Sequence, residues 1–160
     1  MSTLGWIHTI AATLSLFFGT YILIANKGGT KHKKMGYAYT GTMTVMLITA
    51  FMIYRLFGGF GIFHIAAVVS SVTLFMGMVP AIRRRSPKWV IHHFSWMYWS
   101  VFGLYGAFMG EVFTRVPESP FFATVGLSTA AVMLTGSLIW KKKSKQWEQQ
   151  FTQASKKFIH

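Results

Sequence analysis

Five of the six histidines lie at or beside the ends of long apolar segments, where an imidazole can hold a cofactor. His8 opens the first segment, and His64 opens the third. His32 directly precedes the second, and the adjacent His92 and His93 open the fourth. Four histidines on four segments, paired at two depths, are what bis-histidine ligation of two haems requires in a helical bundle. We therefore predict b-type haem and electron transfer, and the sequence leaves open whether the chain is also an oxidoreductase.

The expected ligand pairs follow from depth. We expect His8 to pair with His64 near one surface, and His32 to pair with His93 or His92 near the other. Neighbouring helix positions are about 100° apart, so only one of the adjacent histidines can face the core squarely. We favour His93. For each histidine the alternative is an interfacial side chain that bonds to a backbone carbonyl, and this alternative is strongest for His32, which lies among lysines.

Two of the segments carry stripes of small residues that begin at a histidine. On the first segment the stripe is His8, Ala12, Ser15 and Gly19. On the fourth, one bulky residue follows His93 and small ones come after it: Trp96, Ser100, Gly103, Ala107 and Gly110. Such stripes let a flat cofactor or another helix approach closely, and helix packing is the commoner reason for them.

A non-haem metal site is the second interpretation. Glu111 ends the fourth segment on the same predicted side as His8 and His64, and two imidazoles with a carboxylate can hold zinc or iron with open positions. Glu111 can instead pair with Arg115 one turn later, and we slightly favour that pair. A third interpretation, a small transporter or assembly factor whose histidines relay protons, requires no cofactor. The sequence identifies no catalytic residues, and it contains no cysteine, which excludes disulfides and thiolate ligands.

The elements that must position these histidines are long apolar blocks. Of the 160 residues 52% are hydrophobic. We predict an all-α, polytopic membrane bundle with five helices, each about 20 residues long, at roughly 4–25, 35–57, 60–82, 89–110 and 120–140. The bundle forms one domain over residues 1–140, and a basic cytoplasmic tail at 141–160 follows. The spacing of Trp147, Phe151 and Phe158 favours an amphipathic helix in that tail. We expect the first helix to stay in the mature protein, because no basic region precedes it.

The positive charge is confined to alternate loops. The formal net charge is +13, and of the 16 lysines and arginines only Arg55 and Arg115 lie outside the first loop, the third loop and the tail. The positive-inside rule therefore predicts a cell-membrane protein, of a bacterial inner membrane or a plasma membrane, with its N-terminus outside and its C-terminus cytoplasmic. Trp6, Trp89 and Trp140 fall at segment ends, as interfacial anchors do. The expected partners are the lipid bilayer and a quinol or cytoplasmic reductant; nucleic acid is not expected, and a homo-oligomer is left open.

Three short motifs resemble those of a family of small bacterial integral-membrane proteins, the domain of unknown function 2306. They are His8 with Gly19, the basic turn that runs from His32 through Gly36 to residue 39, and the stretch from His93 to Met97. The chain has Tyr37 and Trp99 where the family commonly has arginines. The resemblance covers the first four segments and implies a membrane protein without implying an activity. The paired histidines are also similar in plan to the cytochrome b561 group, which holds one haem near each face.

Overall fold

The computed structural model describes residues 2–54, 58–86, 88–115 and 120–156, and these form five helices and no strand. The helices are α1 (Thr3–Ile24), α2 (Thr30–Met52), α3 (Ile62–Arg83), α4 (Trp89–Phe113) and α5 (Phe121–Lys156). The predicted all-helical fold is therefore confirmed. Arg55 and Phe158, which entered the predictions of topology and of the tail, lie outside the described residues.

The bounds that differ most from the prediction are those of α2 and α5, and α2 ends at Met52 instead of near residue 57. α2 begins at Thr30, so that His32 lies in its first turn instead of before it. The preceding Gly28 has a φ of +84°, and Gly29 caps the helix in an extended conformation, so the turn is made by these glycines and the lysines after them join the helix. α5 continues through residue 140 without a break and includes residues 141–156 of the predicted tail. Nothing between Trp140 and Lys145 is a helix breaker, and lysine favours helix.

Within the described ranges, three helices are long and apolar enough to cross a membrane: α1, α3, and α5 over Phe121–Phe151. That number is two fewer than predicted. α2 does not reach the same hydropathy because it carries tyrosines, glycines and threonines along its length. α4 does not reach it because its first half is rich in histidine, tryptophan and tyrosine. A membrane protein is supported by the three apolar helices.

The chain divides into two compact units between Val72 and Thr73, inside α3. In the first unit α1 packs against α2. The buried face of α1 consists largely of small residues, namely Ala11, Ser15, Gly19 and Ile22. The Ser15 hydroxyl lies 2.9 Å from the Thr42 hydroxyl, to which it donates a hydrogen bond. The predicted small-residue stripe of α1 thus contributes Ser15 and Gly19 to a helix–helix contact, which is the commoner of its two expected uses.

In the second unit α4 packs against α5, and the two run antiparallel. Tyr98 donates a hydrogen bond of 2.8 Å to the carbonyl of Gly136. A Cβ at Gly136 would lie 2.6 Å from the ring of Phe102, so this position requires glycine for the close approach of the helices. Further along, Thr129 contacts Gly106. These pairs fix one register along both helices.

An aromatic cluster joins the beginning of α4 to the last turns of α5. The ring of Phe94 lies 5.8 Å from Trp140, 5.0 Å from Trp147 and 4.8 Å from Phe151, measured between centroids. Tyr98 also contacts Trp140 and Trp147, at 5.1 and 5.7 Å. Trp140, predicted as an interfacial anchor, therefore packs between helices, and Trp147 and Phe151 of the predicted tail contact α4.

Candidate cofactor-binding histidines

His8 lies in the second turn of α1 and is half-buried against α2. Its Nδ1 is 3.2 Å from the carbonyl oxygen of Met46 and 3.1 Å from Oγ1 of Thr49. A carbonyl only accepts, and the Thr49 hydroxyl donates its own hydrogen to a backbone carbonyl of α2. Nδ1 must therefore carry the ring hydrogen, which leaves the lone pair on Nε2. Histidines that bind metals through Nε2 are held in the same way.

His64 lies in the first turn of α3, is 4% exposed and has the opposite arrangement. The backbone N–H of Gly61 donates a hydrogen bond of 3.1 Å to its Nδ1. A nitrogen that accepts a hydrogen bond carries no hydrogen, so in the neutral ring the hydrogen is on Nε2. That Nε2 is buried and has no hydrogen-bond partner among the residues described. A buried unsatisfied donor costs about 1–3 kcal/mol.

Three aromatic rings surround the His64 imidazole. Tyr54 stacks on it at 4.8 Å between ring centroids with an angle of 27°, and Phe60 stacks at 4.9 Å with an angle of 29°. Phe51 lies at 6.4 Å and is tilted by 44°. Stacked rings contact the face of an imidazole, so its polar Nε2–H points along its edge.

His8 and His64 contact the same end of α2. His8 bonds to Met46 and Thr49, in the last two turns, and His64 contacts Phe51 and Tyr54, at the end of the helix and just after it. These contacts agree with a similar depth for the two histidines. Iron ligation by both through Nε2 would require the His64 hydrogen to move to Nδ1, with loss of the Gly61 bond.

The second unit contains the adjacent histidines of α4. His92 is exposed, whereas His93 is half-buried and its Nδ1 lies 2.8 Å from the carbonyl oxygen of Gly77 in α3. As at His8, the partner only accepts, so Nδ1 carries the hydrogen and Nε2 has the lone pair. Gly77 makes this contact possible, because a Cβ there would lie 2.7 Å from Sδ of Met97. His93 is thus the inward-facing member of the pair, as favoured above.

The remaining candidates have other surroundings. His32 is half-buried at the start of α2, in the first unit, so its pairing with His93 stays a prediction. Glu111 forms an ion pair of 2.7 Å with Arg115, and both side chains are exposed, which confirms the favoured alternative for Glu111. Within the described ranges no three histidine, aspartate or glutamate side chains are grouped so as to hold a metal. The zinc or iron site of His8, His64 and Glu111 therefore has no support.

Two of the contacts could not be found by scanning for titratable residues. Thr49 and Gly77 fix the tautomers of His8 and His93, yet each looks in the sequence like an ordinary helix residue. The available signal for Gly77 was a glycine inside an apolar helix, which often marks close packing.

Comparisons with protein-family models, curated proteins and solved structures found no match for this chain. The resemblance to the bacterial membrane family therefore stays a prediction, and a functional proposal has to rest on the residues themselves.

Proposed function

We propose that this protein is a multi-pass membrane electron-transfer protein that holds b-type haem through Nε2 of His8 near the outer surface and of His93 near the inner surface. The observation that carries the proposal is shared by both residues: Nδ1–H is donated to a backbone carbonyl, so in the neutral ring the lone pair is on Nε2. When bound, haem supplies one-electron redox chemistry that no side chain here supplies.

The chain's own residues orient the ligands. Thr49 and the Met46 carbonyl restrain the ring of His8, and the Gly77 carbonyl restrains that of His93. A single histidine is sufficient to hold haem, as in globins and peroxidases. His64 is left out of the proposed ligands because its Nδ1 already accepts from Gly61, and His32 is left unassigned.

We extend the proposal to topology: all five helices cross the membrane, with the N-terminus outside and the C-terminus cytoplasmic. The charge distribution supports this orientation. The lower hydropathy of α2 is compatible with a crossing, because its threonine hydroxyls bond to carbonyls of the same helix; Thr40 bonds to Gly36 and Thr44 to Thr40. A hydroxyl satisfied within its own helix costs little in lipid.

The haem proposal is tested by the absorption spectrum of the full chain, purified from cells supplied with haem. We expect a Soret band and a b-type pyridine haemochrome spectrum, at up to about two haems per chain. Zinc and iron are measured in the same samples. A colourless protein that cannot take up added haemin would overturn the proposal, whether or not it contains zinc.

Topology is tested with single cysteines, since the chain contains none. A membrane-impermeant maleimide should label cysteine at Ser2, Gly59 and Thr114 in intact cells. Cysteine at Lys31, Ser86 and Ser144 should react only after the membrane is permeabilised. Lys31 and Gly59 reacting from the same side would contradict a crossing by α2, and Ser86 and Thr114 provide the same test for α4.

A further inference from the structure

We propose that the Nε2–H group of His64 is the hydrogen-bond donor of a binding site for the carbonyl oxygen of a membrane quinone. The site lies at the start of α3 and is formed by His64, Phe51, Tyr54 and Phe60. It contains none of the proposed haem ligands. A redox role for the bound quinone rests on the function proposed above, whereas the binding itself does not.

The donor is defined by its surroundings. The Gly61 N–H holds the hydrogen off Nδ1, so Nε2 carries it, and that atom has no acceptor in the described part of the chain. The ring is 4% exposed. A ligand that supplies an acceptor along the edge of the ring compensates the desolvation of this N–H.

The chemistry around the donor selects a neutral, flat ligand. Among the described residues, those that stack on the imidazole or bond to it are three aromatic residues and Gly61, and none of these four is charged. A carboxylate or phosphate would lose its hydration against these four residues and gain no cation from them, which is costly. A carbonyl oxygen accepts one hydrogen bond and carries no charge, and aromatic walls stack on a flat ring. A quinone combines both properties and partitions into lipid.

Phe60, which stacks on one face of His64, is the side chain that can turn to make room for a flat ligand beside the imidazole. It is 64% exposed, so its ring loses little packing when it turns. Glycines precede and follow it, at Gly58, Gly59 and Gly61. Gly58 has a φ of +63°, and no heavy atom lies within 4 Å of where its Cβ would be. The exposure of Phe60 and the glycines beside it thus leave its ring room to turn.

The ester carbonyl of a glycerolipid offers the same oxygen chemistry as a quinone. It lacks a flat ring, however, and would leave the aromatic walls in contact with flexible chains. The experiment must therefore distinguish the two sources.

The test uses the full chain in phosphatidylcholine nanodiscs, titrated with a short-chain benzoquinone and a short-chain naphthoquinone, with and without haem. Binding is measured by equilibrium partition of the quinone. His64→Phe keeps a ring but removes the donor, and should weaken binding about tenfold. His64→Gln keeps an N–H donor and should stay within about threefold of the wild type. The matched control is His92→Phe, which makes the same substitution at an exposed histidine of α4. This variant should bind quinone like the wild type.

A second measurement needs no variant. In wild-type protein labelled with ¹⁵N-histidine, addition of quinone should move one Nε2–H resonance as that group gains an acceptor. Equal quinone affinity for wild type and His64→Phe, or no moving resonance, would overturn the proposal. So would a glycerolipid that co-purifies with the wild type in place of quinone and is lost in His64→Phe. Because haem content is measured separately, a failure of haem binding is distinguished from a failure of this site.

Discussion

His8 and His64 contact the same end of one helix, yet their ring hydrogens are on opposite nitrogens. His8 meets acceptors, the Met46 carbonyl and the Thr49 hydroxyl, and keeps its lone pair on Nε2. His64 meets a donor, the Gly61 N–H, and keeps its hydrogen on Nε2. Residue type and depth are therefore insufficient to assign a role. The neighbour of Nδ1 decides whether a histidine is suited to bind iron or to donate a hydrogen bond.

The largest expected effect is on haem affinity, and it should differ between substitutions of His8 and of His64. His8→Ala removes a proposed ligand and should lower haem affinity at the outer site by more than about 100-fold, since loss of a ligand's hydrogen-bond partner alone costs about 10- to 100-fold. His64→Ala should stay within about threefold, the size of a small hydrogen-bond effect. Haemin titration followed at the Soret band measures both. Equal losses of haem affinity in the two variants would contradict the different roles proposed for His8 and His64, and would indicate that His64 is also a haem ligand.

The next largest effect tests whether His93 in the second unit depends on its carbonyl partner for haem binding, as His8 is proposed to do. Gly77→Ala forces a Cβ against Met97, at 2.7 Å from Sδ and 3.3 Å from its backbone nitrogen, and should destabilise the protein by about 1–3 kcal/mol. The carbonyl that restrains His93 should shift with it, and haem at the inner site should fall. Unfolding in denaturing detergent measures the stability.

Gly103→Ala is the control for Gly77→Ala. No heavy atom lies within 4 Å of the position that the alanine Cβ would take at residue 103. In a helix, alanine is more stable than glycine by up to about 1 kcal/mol. If the two substitutions have the same effect on stability, the close approach of Gly77 to Met97 does not constrain the site.

A smaller effect tests the restraint on His8. Thr49→Val removes the hydroxyl and leaves the Met46 carbonyl as a partner of His8. Haem affinity should therefore fall about tenfold, the smallest loss expected when a metal ligand loses a hydrogen-bond partner. Thr44→Val is the matched control, because Thr44 is exposed on the same helix and bonds only within it. Haemin titration should leave the control unchanged, and an equal loss in both would point to a general change in α2.

The smallest effect tests the restraint on His64. Gly61→Pro removes the N–H that bonds to Nδ1, so the hydrogen can move from Nε2. Quinone affinity should fall about threefold, which corresponds to the free energy of one weak hydrogen bond. Quinone partition measures this, and His64→Gln provides the reference for an intact donor. An unchanged affinity would mean that Gly61 does not set the tautomer.

Much of the fold was predictable because apolar blocks of about 20 residues favour helices whatever surrounds them. The start of α2 was missed because a basic stretch after two glycines looked like loop, although lysine extends a helix readily. The Glu111–Arg115 pair was predictable from its spacing alone. The tautomers of His8, His64 and His93 were not predictable. For His8 and His93 they depend on which backbone carbonyl of a neighbouring helix meets Nδ1, which helix packing decides. For His64 the tautomer depends on the local turn that brings the Gly61 N–H to Nδ1.

The length of α5 has a consequence for any water-soluble partner. A helix of 36 residues is about 54 Å long, roughly 24 Å more than the hydrocarbon layer that it is proposed to cross. The excess carries the exposed Lys141, Lys142, Lys143 and Lys145, and the contacts of Trp147 and Phe151 with Phe94 hold the beginning of α4 beside it. In the topology and function proposed above, a cytoplasmic electron donor would meet a basic pair of helices that extends beyond the headgroups, with His92 and His93 at its base.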